Sequence, residues 1–112
     1  MDKMYICVLD AVPDHMVPTL VAHAVLRHHL TEQQQVELSD YDRYIEWLNT
    51  SFRKCVVRVN RKEFGKISQL SNVVESWENT TLNGEVSCLT IIASTHDHNV
   101  LRYAKLWEPS IL

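Results

Sequence analysis

The run VPTLVAHAVLRHHL, residues 17 to 30, has apolar side chains at helical spacing, with His23 standing inside it. An imidazole titrates near neutral pH, so His23 is a candidate for proton transfer at the edge of a functional cleft. Asp10 closes the apolar stretch MYICVLD and would place a carboxylate where a buried strand meets solvent. His96, Asp97 and His98 offer two imidazoles and a carboxylate to a metal. All three come from one segment, however, whereas zinc sites draw three or four ligands from separated segments. Asp97 has a plainer use at a helix start, facing exposed amides. No metal site and no cofactor are therefore expected. His28 and His29 fall near the carboxyl end of the same run as His23, where packing or a helix-end role suits them.

Phosphate chemistry has one candidate. Arg53, Lys54, Arg58, Arg61, Lys62 and Lys66 are six of the eleven lysines and arginines, opposed between positions 53 and 66 only by Glu63. A local basic face can bind phosphate even when the net charge is -3, because salt confines such fields to about 8 Å. The alternative is a solvated flank of a strand and a helix. No Ser-His-Asp spacing, phosphate-cradling loop or dinucleotide fingerprint is present, and with two glycines none can be built. Nucleoside triphosphate hydrolysis and dinucleotide redox chemistry are thereby set aside. Trp47, Trp77 and Trp107 have the spacing of core anchors. Trp77, beside a loop, can also stack on a terminal RNA base.

Eight elements must position these residues. MYICVLD is a buried strand. Pro18 opens a helix in which Val17, Leu20, Val21, Ala24, Val25 and His28 share one face, with His23 turned away from it. TEQQQVEL reads as a loop or frayed helix end. Ser39 with Asp42 resembles a capping box for a second helix reaching Asn49. KCVVRV is a second strand, and Asn60 with Glu63 caps a short helix carrying Phe64, Ile67 and Leu70. NVVESW and EVSCLTIIAS flank Asn83 and Gly84, a hairpin signal for a loop of two residues or longer, so these two strands are expected antiparallel. Thr95 caps a last helix with Val100, Leu101, Ala104 and Trp107 on one face. The order β-α-α-β-α-β-β-α implies a three-layer α/β/α fold around a mixed, roughly four-stranded sheet, with parallel strands joined through helices.

One domain over residues 1 to 112 is expected from the length, and 46% hydrophobic with 22% charged residues is a globular balance. Runs such as CLTIIA are too short to span a bilayer, and the amino terminus lacks signal-peptide features, so a cytoplasmic location without membrane association is expected. Cys7, Cys55 and Cys88 each sit in an apolar run and read as reduced core thiols.

The element order, the acid ending the first strand and the pair His23-Ala24 together resemble the peptidyl-tRNA hydrolase type 2 family, over nearly the whole chain. That family carries a Lys-x-x-x-Gln-x-x-His-Ala helix motif, a basic second strand and a threonine-to-glycine loop between its last strands. Asp10, His23, Lys54 and Thr80 or Thr81 ahead of Gly84 look like those elements. Counting back from His23, the motif lysine falls at Met16 and the glutamine at Leu20. The resemblance implies hydrolysis of the ester of peptidyl- or aminoacyl-tRNA. His23 would be the base, Asp10 its orienting acceptor, and Thr80 or Thr81 the oxyanion donor. His15, Arg53, Lys54, Arg58 and Trp77 would hold the substrate. The expected partners are tRNA or a nucleotide-type ligand, with a homodimer as a further expectation. The alternative is a module of the same fold that binds RNA, a nucleotide-type ligand or a protein without catalysis, as apolar side chains at positions 16 and 20 suggest.

Overall fold

Lys3 and the six apolar residues after it, Lys3–Leu9, form β1 at the centre of the sheet, with every side chain from Met4 to Leu9 buried. A strand covered on both faces reads as a continuous apolar run for this reason. The computed structural model describes residues 2–34 and 38–109, and for 38–41 the backbone alone. After β1 come α1 (Val17–Gln33), α2 (Leu38–Asn49), β2 (Lys54–Val59), α3 (Arg61–Ser68), β3 (Val74–Ser76), β4 (Cys88–Ala93), α4 (Asn99–Arg102) and β5 (Lys105–Leu106). The sheet order is β3-β4-β1-β2-β5, with β1 and β2 parallel and the other neighbours antiparallel.

The alternation along β1 divides the core. Met4, Ile6 and Val8 pack with Val17, Leu20 and Ala24 of α1 and with Tyr44 and Trp47 of α2. Tyr5 and Cys7 face the other way, against Ile67 of α3 and Leu101 of α4. The three layers are thus α1 and α2, the sheet, and α3 and α4. Two of the three cysteines, Cys7 and Cys88, are buried and all three are free thiols. No helix among the described residues is long and apolar enough to cross a membrane.

Four features refine or overturn expectation. First, of the loop or frayed helix end expected from Thr31 onward, the helical alternative holds through Glu32 to Gln33, because Glu32 lies one turn beyond His28 on the buried stripe. The rest of that expected loop reaches residues 35–37, outside the described set, as does the Ser39 side chain of the expected capping box. Second, β3 and β4 are antiparallel neighbours as expected, and the link between them is the longer kind, with a tight turn at Leu82–Gly84. Asn83 (φ 56°) and Gly84 (φ 74°) supply its left-handed backbone, the conformation that Asn and Gly adopt at least cost.

Third, the last helix is a single turn capped at His98, not Thr95, and it does not reach Trp107. Leu101 packs on the α3 side of the sheet while Trp107 packs on the α1 side, so no one helix face can carry both. Fourth, the chain instead pairs Leu106 with Val57 and Lys105 with Arg58, adding a fifth strand that covers the edge of β2. By contrast, the capping box Asn60–Glu63 forms in both directions, at 2.8 and 3.0 Å.

Candidate functional site

Loops leaving adjacent parallel strands toward opposite faces of a sheet open a crevice at the strands' carboxyl ends. β1 and β2 meet that condition, since β1 leads to α1 on one face and β2 to α3 on the other. A cleft of about 510 Å³ lies there, lined by Asp10 from the end of β1, Arg58, Val59 and Asn60 from the end of β2, and Glu63 from α3. Tyr103, Lys105, Leu106 and Glu108 close it from the carboxyl-terminal segment.

The floor is held by backbone. The Asp10 amide donates to the Val59 carbonyl at 2.8 Å, and the Trp107 amide donates to the Val56 carbonyl at 2.8 Å, which pins the last segment across β2. Arg58 donates from Nη2 to Asp14 Oδ1 at 2.5 Å and reaches the Asp10 carbonyl at 3.5 Å. The Trp107 indole also donates to Asp14, at 3.4 Å. Asp10 is exposed, and its charge strengthens the hold of Arg61 on its own proton, after the larger effect of Glu85. Tyr103 is 72% exposed and Leu106 65%, so the cleft presents flat and branched apolar surface to solvent beside its charges.

His23 occupies a different place. It is exposed on α1 and lines a shallow depression with Leu26, Arg27 and Leu30. No hydrogen bond joins it to Asp10, and the two line separate hollows. The charge of His23 is felt instead by Glu78. That carboxyl is held below its ordinary value first by the Thr80 hydroxyl, then by the Thr80 amide, the Thr81 hydroxyl and His23. Both threonine hydroxyls donate to Glu78 Oε2, at 2.5 and 3.0 Å, and Thr81 is buried. A hydroxyl has one proton to give, so neither is a free donor for an oxyanion. On the same side, the Arg27 guanidinium lies 3.9 Å from the centroid of the Trp77 ring and covers one of its stacking faces.

The basic run divides between the two ends of β2. Arg53 and Lys54 stand at its amino end, about 13 Å of strand away from Arg58 at about 3.3 Å per residue. Lys54 is turned back, donating to the Phe52 carbonyl at 2.8 Å with its ammonium over the Phe52 ring. Neither lines the cleft. His15 is exposed on the turn Asp14–Met16, also outside the cleft lining.

Sequence reasoning reached Asp10 and Arg58 but missed Asn60 as a wall and missed Tyr103, Lys105, Leu106 and Glu108 altogether. A two-residue strand leaves no periodic signal, and only the exposed aromatic after an apolar helix turn hinted at a surface. His96 and Asp97 lie in a turn, with His98 as the extended cap of α4, and Asp97 accepts from the Ser94 amide and hydroxyl, both at 3.0 Å, and from Arg43 at 2.6 Å. Among the described residues no cluster of three metal-ligating side chains is found. No protein-family model matches this sequence, and a search of curated proteins finds no match.

Proposed function

We propose that the protein binds a nucleotide-type ligand in the cleft at the carboxyl ends of β1 and β2, as a binding module rather than a hydrolase. The observation that carries this reading is the mixture of groups gathered at that fork. Tyr103 offers a flat apolar face for a base, the Asp10 carboxylate accepts from hydroxyls such as those of a ribose, and Lys105 offers charge to a phosphate. A ligand of one charge sign would meet repulsion from part of the wall, since Asp10, Glu63 and Glu108 line it together with Arg58 and Lys105. A nucleoside monophosphate, or the end of an RNA strand, has donors, a flat ring and an anion at separate points. Apolar Met16 and Leu20 also favour binding without ester cleavage.

Calorimetric titration with adenosine monophosphate, adenosine and inorganic phosphate tests this. The monophosphate should bind more tightly than either fragment. Asp10→Ala and Lys105→Ala should each weaken binding about tenfold, the loss of one charge-assisted hydrogen bond at about 1.4 kcal/mol. His23→Ala should leave it unchanged. Absence of binding, or equal affinity in all three variants, would remove the proposal.

A second reading, hydrolysis of an aminoacyl or peptidyl ester of tRNA as the family resemblance implies, is favoured by the exposure of His23 near Glu78. Release of a labelled N-blocked amino acid from charged tRNA, with His23→Ala as control, distinguishes it. Turnover lost in the variant supports catalysis, and equal or absent turnover excludes it.

A further inference from the structure

The outer side of α1 and α2 carries a second surface, remote from the cleft. Between the two helices runs a groove of about 490 Å³ lined by Val25, Leu26, Tyr44, Trp47, Leu48 and Phe52, among others. Leu26 also lines the depression that holds His23, Arg27 and Leu30, so it is a ridge between two hollows. Of the five most exposed large apolar side chains among the described residues, Leu26, Leu30 and Phe52 cluster here. Phe52 has φ 53°, a left-handed backbone that a bulky side chain rarely adopts.

The nearest described carboxylates, Glu78 beside His23 and Glu46 beside Trp47, stand outside both hollows. Among the described residues no carboxylate lines either hollow, while His29 lines the groove and His23 and Arg27 line the depression. Lys54 sits over the ring of Phe52, which lines the groove. Glu78, the carboxylate that feels His23, already accepts from Thr80 and Thr81.

We infer that this groove docks an acidic amphipathic helix of a partner protein, its leucine-type side chains straddling the Leu26 ridge and its carboxylates facing His23, Arg27 and Lys54. Ala22, Leu26 and Leu30 follow one another at spacings of four, the row that a third helix packs against when two helices form its groove. Carboxylates on that helix select it over a basic one of equal hydrophobicity.

The probe is a labelled helix-forming peptide with leucines at spacings of three and four and glutamates beside them, read by fluorescence anisotropy. Its control is the same peptide with lysine in place of glutamate. The glutamate peptide should bind at least about tenfold more tightly, with the preference shrinking as salt rises. Leu26→Asp and Leu30→Glu, both at exposed positions, should each abolish binding, and Leu106→Asp in the cleft should not. Equal affinity for both peptides, binding that survives Leu26→Asp and Leu30→Glu, or no binding would overturn the inference. So would sedimentation showing that the protein self-associates through Leu26, since a second copy would then be the occupant.

Discussion

Lowering the pH should destabilise the fold through His28 by a calculable amount. His28 is 1% exposed, with Nδ1 2.7 Å from the Thr90 hydroxyl and its ring stacked on Tyr44 at 5.4 Å. Its Nε2 lies 3.3 Å from Glu32 Oε1, and Glu32 is itself 3% exposed. A neighbouring carboxylate alone would favour the imidazolium. Burying both charges costs more than their attraction returns, and desolvation pushes the ring down from 6.5 to about 4. The folded protein therefore keeps His28 neutral where the unfolded chain already binds a proton. Stability is whole above about pH 6.5, falls as pH drops toward 4, and loses nothing further to this group below that.

At about 1.4 kcal/mol per pH unit, that window is worth about 3 kcal/mol, a large fraction of the 5–15 kcal/mol typical of a domain. Urea unfolding of the native protein and of His28→Gln at about pH 7, 5.5 and 4 measures it, because glutamine fills the site without titrating. The native protein should lose about 3 kcal/mol relative to the variant between the ends of that range. An NMR titration of the His28 ring should place its midpoint near 4. Parallel stability curves, or a midpoint near 6.5, would refute the reasoning.

Three further outcomes are expected. Trp47 is 2% exposed and its indole donates to the Arg53 carbonyl at 2.8 Å, so Trp47→Ala should cost about 3–5 kcal/mol in denaturant unfolding. Arg43 holds Asp2 at 2.7 Å and Asp97 at 2.6 Å, which raises its own affinity for its proton. Arg43→Ala should cost about 1 kcal/mol and raise the Asp97 carboxyl from about 2, where the Ser94 amide and Arg43 hold it. Burial pushes the Cys88 thiol up to about 12 and raises Cys7 as well, so a thiol reagent at about pH 8 should label half-buried Cys55 at most until the protein unfolds.

Residue spacing carried the reading of α1 well. The stripe Val17, Leu20, Ala24 and His28 is buried, and His23 is turned out to solvent. One turn later it left a loop and a frayed helix end both open, because the composition of TEQQQVEL hides Glu32, a polar residue on the buried stripe. The same limit applies to the site. Asp10 was legible as the polar end of an apolar strand, but the opposite wall depends on Lys105 and Leu106 pairing with β2, a contact between segments about fifty residues apart with no local pattern. The six cations between 53 and 66 do not form one patch, since the extended strand β2 separates Arg53 and Lys54 from Arg58 and from Arg61, Lys62 and Lys66 of α3. Thr80 and Thr81 were legible as polar loop residues, but not that both would be spent on Glu78, three residues away at most.

The fork between β1 and β2 is the proposed ligand site, and amide shifts in an NMR titration with adenosine monophosphate test it most directly. Changes should concentrate at Asp10, Asn60, Tyr103 and Lys105 and leave His23 and Thr80 still. Changes centred on α1 and the Glu78 loop, or none at all, would contradict it.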